Sequence, residues 1–263
     1  MPRVHPLQPV SAYEYITPVV AHRGASAEAP ENTAAAIRLA ASQGARWAEV
    51  DVTISADGIA VIHHDHDLNR CSDGNGLVIL QQLAQLRKLD CGSWFSSNYS
   101  GEPLLTLADL ILLANELEIA LNLEIKPTPG REDETVWAIA ETLRTVPSEQ
   151  PILLSSFSFY ALRAAKDYLP HLTRALNVEA IPKDWHSRLE ELDCHGLHFA
   201  HEFSQPALIA EIRQAGYHML VFTVNNAHEA QKLLDIGVSA VFTDFPGRMI
   251  RGLASAEHAG VAH

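Results

Sequence analysis

A parallel (β/α)₈ barrel is the fold class this sequence predicts, and three observations carry that expectation. Short β-type runs alternate with longer helical patterns along the chain, which reads as βα repetition around a parallel sheet. Polar and ionisable side chains sit at the C-terminal ends of several of those runs, the end where barrels gather chemistry. The 263 residues are close to the roughly 250 of one such barrel. One domain over residues 1–263 is therefore expected, and 47% hydrophobic content is ample for its core.

The strand candidates are Pro18–His22, Trp47–Ile54, Ile59–His63, Ile119–Ile125, Ile152–Ser155, Arg174–Val178, Gly196–Phe199, His218–Val224 and Ala240–Thr243. One of the second and third is expected to be an extra hairpin arm, turned at Ala56-Asp57-Gly58, because Asp-Gly is a strong turn signal. Eight barrel strands remain. Between them, Asn32-Thr33 can cap a helix running to about Gln43, with Gly44 as its stop. Further helices are expected over Thr106–Leu117, Asp133–Leu143, Phe159–Tyr168, Gln205–Ala215 and Ala227–Ile236. Gly216 and Gly237 mark helix ends in the same way as Gly44.

Residues 65–105 break the rhythm. They are rich in Asp, Asn, Ser and Gly, carry Trp94, Phe95 and Tyr99, and hold one short helical piece near Leu80–Lys88. Forty residues exceed an ordinary βα loop of 2–6. The stretch reads as a small insertion after the second barrel strand, above the barrel mouth, where barrel enzymes place specificity.

Charge and composition remove several function classes. A net charge of -13 argues against nucleic acid, which requires a basic footprint. It leaves phosphate substrates open, because a bound cation and a few basic groups set the local field. No stretch reaches the ~18 uncharged apolar residues of a membrane span; Leu104 to Ile125 is broken by Asp109, Asn115, Glu116, Glu118 and Glu124. The N-terminal MPRVHPLQPVSAYEY carries three prolines and no apolar core, unlike a signal peptide. Cys71, Cys91 and Cys194 are scattered and odd in number, which fits a reducing compartment. A cytoplasmic location is expected. The last dozen residues read as a frayed tail.

Two strand candidates carry the chemistry. Residues two apart on a strand share a face, so Glu49 and Asp51 point together while Ala48, Val50 and Val52 point the other way. Likewise Asn122, Glu124 and Lys126 oppose Ile119, Leu121, Leu123 and Ile125. In a barrel the polar sets face inward. Two carboxylates about 6 Å apart repel by roughly 3 kcal/mol at an effective dielectric near 20, and desolvation adds several more per ion. Convergent carboxylates without cysteine favour a hard cation such as Mg²⁺ or Ca²⁺. The alternative is an internal salt bridge in which Arg23 or Lys126 neutralises the acids.

His22-Arg23-Gly24 sits where the first strand meets its loop; Gly24 permits a tight turn, and Arg23 offers a fork suited to phosphate. The cluster His63-His64-Asp65-His66-Asp67 ends the third run. On composition it is a metal-binding tract, a solvated loop, or one functional histidine among bystanders.

These residues form part of a longer series of blocks. In order they are His22-Arg23-Gly24, Pro30-Glu31-Asn32-Thr33, Glu49-x-Asp51, Asp57-Gly58, His64-Asp65-x-x-Leu68-x-Arg70 and Gly74-x-Gly76. Asp90-x-Gly92-Ser93-Trp94, Glu124-Ile125-Lys126-Pro127, Leu154-Ser155-Ser156-Phe157, Thr223-Val224-Asn225 and Thr243-Asp244 follow. The series resembles the glycerophosphodiester phosphodiesterases, especially the bacterial cytoplasmic type. The blocks span nearly the whole chain, and together they are far more specific than any one. His63 departs from a commonly aliphatic position, and Cys71-Ser72 stands where threonines are frequent.

The resemblance implies a barrel with an insertion after its second strand. It assigns Glu49, Asp51 and Glu124 to one divalent cation, Mg²⁺ or Ca²⁺. It assigns His22 and His64 to general acid and base roles, and Arg23 and Lys126 to the phosphate. The expected reaction converts a small-molecule glycerophosphodiester, such as glycerophosphocholine or glycerophosphoethanolamine, to sn-glycerol 3-phosphate and an alcohol. Trp94, Phe157 and Phe199 are candidate apolar contacts at the mouth, with plain core as the alternative, and leaving-group choice is expected to be loose. A lysophospholipase D-type activity and a non-catalytic glycerophosphodiester-binding barrel are the rival readings.

Overall fold

The computed structural model describes the backbone of residues 11–260 and the side chains of residues 11–256. The expectation drawn from the extreme N-terminus falls mostly on residues outside this range. Among the described residues nine strands form one sheet. They are β1 (Val19–His22), β2 (Trp47–Ile54), β3 (Ala60–Ile62), β4 (Ala120–Ile125), β5 (Ile152–Ser156), β6 (Thr173–Val178), β7 (Gly196–Ala200), β8 (His218–Phe222) and β9 (Ala240–Thr243). Their order is β1-β9-β8-β7-β6-β5-β4-β2-β3, and β1 also pairs with β2. Every pairing but one is parallel. Val19 lies opposite Val241 on one side of β1, and His22 lies opposite Glu49 on the other. Eight strands thus close on themselves as a TIM barrel.

The exception resolves the hairpin. β3 runs antiparallel to β2, with Val52 opposite Ile62 and Ile54 opposite Ala60. The third run is therefore the extra arm, and the second is the barrel strand. Gly58 turns between them with φ +77°.

Nine helices accompany the strands among the described residues. α1 (Ala34–Ser42) is capped by the Thr33 hydroxyl on the Ala36 N–H, and α3 (Leu107–Leu117) by a reciprocal Thr106–Asp109 capping box. α2 (Leu83–Leu86) is a single turn, preceded by a 3₁₀ turn at Val78–Leu80, so the helical piece expected near 80–88 is split. α4 (Glu132–Thr145), α5 (Phe159–Tyr168), α7 (Pro206–Gln214) and α8 (Ala227–Asp235) lie where periodicity placed them. Two were not foreseen. α6 (Trp185–Leu192) buries Trp185, Leu189 and Leu192, a proper i, i+4, i+7 stripe hidden among charged neighbours. α9 (Pro246–Gly260) corrects the frayed tail: Met249 and Leu253 pack into the outer core and carry the helix on. Residues 261–263 lie outside the described range.

Core side chains divide by face. Val50, Val52, Leu121, Leu123, Leu154, Leu197, Phe199 and Val221 point out toward the helices. Val20, Trp47, Ala120, Leu153, Ala175, Leu220 and Phe242 fill the interior together with Tyr13. Tyr13 comes from a 3₁₀ turn, Ala12–Tyr15, at the N-terminal end of the barrel. Its ring stacks on His218 at 4.3 Å, and its hydroxyl lies 2.9 Å from His198 Nε2. Gly196 is what admits this plug, since a Cβ there would fall on the Tyr13 hydroxyl.

The stretch between β3 and α3 has a small core of its own, Val61, Leu68, Val78, Leu86, Cys91 and Leu104. It docks on the β1–α1 connection, where the Tyr99 hydroxyl donates to Glu28 O and Glu102 accepts from the Ala35 N–H.

Gly196→Ala is expected to lower unfolding free energy by about 1–3 kcal/mol, the usual cost of overpacking, measured by denaturant unfolding. A second expectation concerns pH. Burial alone pulls His198 down to about 3, so below 6.5 the unfolded chain takes up a proton that the folded chain does not. His198 should therefore make stability fall as pH drops from 6.5 toward 3, with a slope of up to ~1.4 kcal/mol per pH unit. His198→Gln should flatten the stability profile between pH 6 and pH 4.5 by about that slope. An unchanged profile would show that this imidazole is protonated in the fold.

Candidate active site

Register brings the acids together. Glu49 on β2 lies beside His22 on β1, and Asp51 lies opposite Glu124 on β4. All three carboxylates therefore arrive at the C-terminal end of the barrel, each offering an oxygen within 4.8 Å of the other two. Glu49 and Asp51 are buried.

The β1–α1 loop is shaped to serve this cluster. Arg23 has φ +54° and Gly24 has φ +83°. A Cβ on Gly24 would stand 2.7 Å from the backbone carbon of Ala36, so only glycine lets the loop close on α1. The turn aims the Arg23 N–H at Glu49 Oε2, at 3.0 Å. Asn32, also left-handed with φ +61°, donates from Nδ2 to Asp51 Oδ2 at 2.9 Å and accepts the Asp51 N–H at 3.2 Å.

Both histidines are held through Nδ1. His22 Nδ1 lies 2.7 Å from Asp244 Oδ1, and Asp244 is itself held by Asn225 Nδ2 and the Ser26 hydroxyl. His64 Nδ1 lies 2.6 Å from Asp65 Oδ1. Lys126 Nζ donates to His64 Nε2 at 3.0 Å; an ammonium only donates, so the His64 ring proton is on Nδ1. The free edge of His22 faces the cluster, with Nε2 4.0 Å from Glu49 Oε2.

Basic groups enter the same space. Lys126 Nζ is 3.3 Å from Glu124 and 3.9 Å from Asp51, and Arg23 Nε is 3.2 Å from Asp51 Oδ2. Arg23 Nη1 pairs with Glu31 at 2.7 Å. Arg70 then ties Glu31 to Asp65, reaching each carboxylate at 2.7 Å. The insertion thereby reaches both Arg23 and His64 through Arg70 and Asp65.

Electrostatics follow from this packing. Burial, then the charges of Asp51 and Glu124, push Glu49 well above its ordinary value. Burial and then Asp51 lift Glu124 to about 7, against the pull of Lys126. Burial also works to raise Glu31 and Asp244, but Arg70 and Arg23 hold the first near 2, and His22 with Asn225 and Ser26 hold the second near 2. The two groups of acids differ in kind: the outer ones are satisfied, whereas the inner ones are frustrated.

The salt-bridge alternative accounts for part of the cluster only. The Arg23 and Lys126 side chains partner Asp51 and Glu124, but neither side chain pairs with Glu49, whose Oε2 takes the Arg23 N–H and whose Oε1 is buried without a hydrogen-bond partner. Three oxygen ligands, one of them orphaned, fit a hard divalent cation.

A cavity of about 410 Å³ opens on this cluster and is lined by His22, Arg23, Glu49, His64, Glu124 and Lys126, with Phe157, Glu179 and Phe222 on the opposite wall. Phe157 stacks edge-on against Phe222 at 5.8 Å. Phe199 does not reach the cavity; alternation on β7 sends it into the helix layer, where it is fully buried. Trp94 is not at the mouth either. Its indole donates to Cys91 O and packs on Phe95 within the insertion. None of residues 65–105 lines the cavity, so that stretch supports the site rather than forming its wall.

Asn32, Glu31, Asp65, Arg70, Asn225 and Asp244 were present in the sequence blocks without a role. Their roles follow from the partners the fold gives them, some adjacent, as Asp65 is to His64, and others far along the chain, as Asp244 is from His22. Asn177 lay in no block at all; it donates to Glu124 Oε2 at 3.1 Å.

Comparison with known proteins agrees with this geometry. The model of the Glycerophosphoryl diester phosphodiesterase family matches residues 22–248. A glycerophosphodiester phosphodiesterase of Caldanaerobacter subterraneus is 32% identical over 239 residues, covering 89% of this chain and 96% of that protein. One from Bacillus subtilis is 28% identical over 243 residues, covering 86% and 83%. Among solved structures, an Oleispira antarctica phosphodiesterase in complex with the product sn-glycerol-3-phosphate superimposes with a TM-score of 0.91 at 44% identity, covering 93% of this chain and 100% of that one. Matched from His22 into α9, the chain belongs to the glycerophosphoryl diester phosphodiesterase family.

Proposed function

We propose that the chain hydrolyses small glycerophosphodiesters to sn-glycerol 3-phosphate and a free alcohol, with one divalent cation on Glu49, Asp51 and Glu124 and with His64 and His22 as base and acid. The observation that carries this reading is the convergence of three carboxylates with two carboxylate-paired histidines and two basic side chains around one cavity.

Glu49, Asp51 and Glu124 would hold such a cation, Mg²⁺ or Ca²⁺, which would supply Lewis-acid charge beside the phosphoryl group. Arg23 and Lys126 grip the phosphate more strongly as charge builds on its oxygens, which lowers the barrier. Lys126 now donates to His64 Nε2; when it turns to the phosphate, that nitrogen lone pair is free. His64, neutral with its proton on Nδ1 toward Asp65, then takes the proton of the attacking water, or of the glycerol 2-hydroxyl, in which case a cyclic phosphate forms first and water opens it in a second step. The new P–O bond forms, the bond to the alcohol breaks, and His22 Nε2 delivers the proton the alkoxide needs. Asp244 and Asp65 hold the two rings in the required tautomer and orientation. The unpaired, buried Cys71, Cys91 and Cys194 agree with a reducing compartment, and no helix among the described residues is long and apolar enough to cross a membrane.

His22→Ala and His64→Ala should each lower kcat by at least ~10² while keeping the parent melting temperature. Near-parental turnover in either would remove that residue from the pair. Exhaustive chelation with EDTA should abolish hydrolysis of glycerophosphocholine, and Glu124→Gln should raise the Mg²⁺ or Ca²⁺ concentration needed to restore it; turnover that survives chelation would defeat the cation assignment.

The pH dependence has a defined sign. Burial, aided by Arg23 and Lys126, holds His64 below the ordinary 6.5 despite Asp51 and Asp65. A base must be neutral, so kcat/KM should stay level on acidification past 6.5 and fall only at lower pH. An acid limb above 6.5 would remove His64 from the base role.

A further inference from the structure

The cavity wall that faces the carboxylates is built from the ends of β5, β6, β7 and β8, and the mechanism above does not use it. Phe157, Glu179 and Phe222 all line the cavity there. Each stands two residues beyond an inward-facing side chain of its strand, Ser155, Asn177 and Leu220 respectively, so parity turns all three the same way. Ala200 on β7 lies opposite Phe222, and its N–H donates to Glu179 O at 3.1 Å. The backbone therefore sets Glu179, Ala200 and Phe222 side by side. Phe157 meets Phe222 edge-on at 5.8 Å across the two strands between them. In strand order the two rings bracket Glu179, and the short side chain of Ala200 takes little of the space.

Two features of this wall go beyond the needs of a phosphate ester. Glu49 and Glu124, the other acids lining the cavity, belong to the cluster with Asp51. Glu179 does not, and among the described residues its carboxylate has no ion pair and no hydrogen bond. A free carboxylate on the wall of a cavity that admits a phosphate anion repels that anion, unless the same substrate brings positive charge to the wall. Phe157, moreover, is 45% exposed, its ring turned to the cavity and not into the core. Rings beside a carboxylate favour an alkylammonium, whose charge is attracted by both. A neutral polyol gains from neither, and an anionic head group is repelled.

The place suits the departing alcohol. Lys126 and Phe157 each stand two residues beyond the paired Glu124 and Ser155, so a phosphate gripped by Lys126 has Phe157 as its neighbour. His22, which hands a proton to the leaving oxygen, is on β1, with only β9 between it and Phe222 on β8. The alcohol leaves the phosphorus between these points and extends toward Glu179. We propose that Phe157, Glu179 and Phe222 form a head-group subsite that selects diesters whose alcohol carries an alkylammonium group. This rests on the hydrolytic reading above and makes the leaving group a chosen one, where the sequence led us to expect loose choice.

The test compares glycerophosphocholine with its neutral isostere, the 3,3-dimethylbutyl ester, in which carbon replaces the quaternary nitrogen. With Mg²⁺ or Ca²⁺ present, the parent should favour the cationic ester about tenfold in kcat/KM, the combined worth of a partly screened charge and an aromatic contact. Glu179→Gln should bring the ratio to within about twofold of unity by slowing the cationic ester, and Glu179→Lys should invert it. Phe157→Ala should lower the ratio by about twofold to threefold. Raising the ionic strength from about 0.01 M to about 1 M should shrink the ratio in the parent and leave it unmoved in Glu179→Gln.

A ratio near unity in the parent, or one that survives Glu179→Gln, would overturn the subsite. Binding keeps the two readings apart. Calorimetric titration of the parent should show phosphocholine bound more tightly than 3,3-dimethylbutyl phosphate, and Glu179→Gln should erase the difference. If neither diester is hydrolysed yet that difference is found, the subsite stands and the hydrolytic reading fails; equal binding of the two monoesters overturns the subsite whatever is hydrolysed.

Discussion

Everything at the mouth of this barrel is arranged around one electrostatic difficulty, the presence of Glu49, Asp51 and Glu124 within 4.8 Å of one another. Like charges that close, in a partly dry space, repel by several kcal/mol. Arg23 and Lys126 pair directly with Asp51 and Glu124, whereas Glu49 has the backbone N–H of Arg23, that residue's more distant charge and His22 at 4.0 Å. A site left short of positive charge is one that gains most from a cation and from the cationic groups that grip a phosphate.

Around the frustrated centre lies a satisfied rim. Asp244 and Asp65 each bind a histidine and are in turn held by other groups. Arg70 joins Asp65 to Glu31, and Glu31 holds Arg23. The rim holds both imidazoles through Nδ1, and Glu31 shares Arg23 with the inner carboxylates. It also explains how the insertion matters while contributing no cavity wall: it anchors two side chains of the site through a single guanidinium.

Beneath lies the neutral layer of Asn122, Asn177 and His198, closed from below by Tyr13. The interior thus grades from apolar at the N-terminal end, through uncharged polar, to ionised at the mouth. Phe157 and Phe222 line the same cavity and pack edge-on against each other.

Much of this was legible in the chain before folding. Alternation on Trp47–Ile54 and Ala120–Ile125 determined which side chains share a face, because a strand has a period of two whatever surrounds it. The blocks from His22-Arg23-Gly24 to Thr243-Asp244 likewise carried the barrel, its insertion and the family. Tertiary structure alone decided the remainder. Register set Asp51 against Glu124. Strand parity sent Phe199 outward, and the insertion's own core kept Trp94. A core contact made a helix of the C-terminal segment. The pairings of His22 with Asp244, of Arg70 with Glu31 and of Tyr13 with His198 join residues 222, 39 and 185 positions apart. Local pattern reports the face a side chain takes, whereas a partner that far along the chain becomes a neighbour only when the barrel closes.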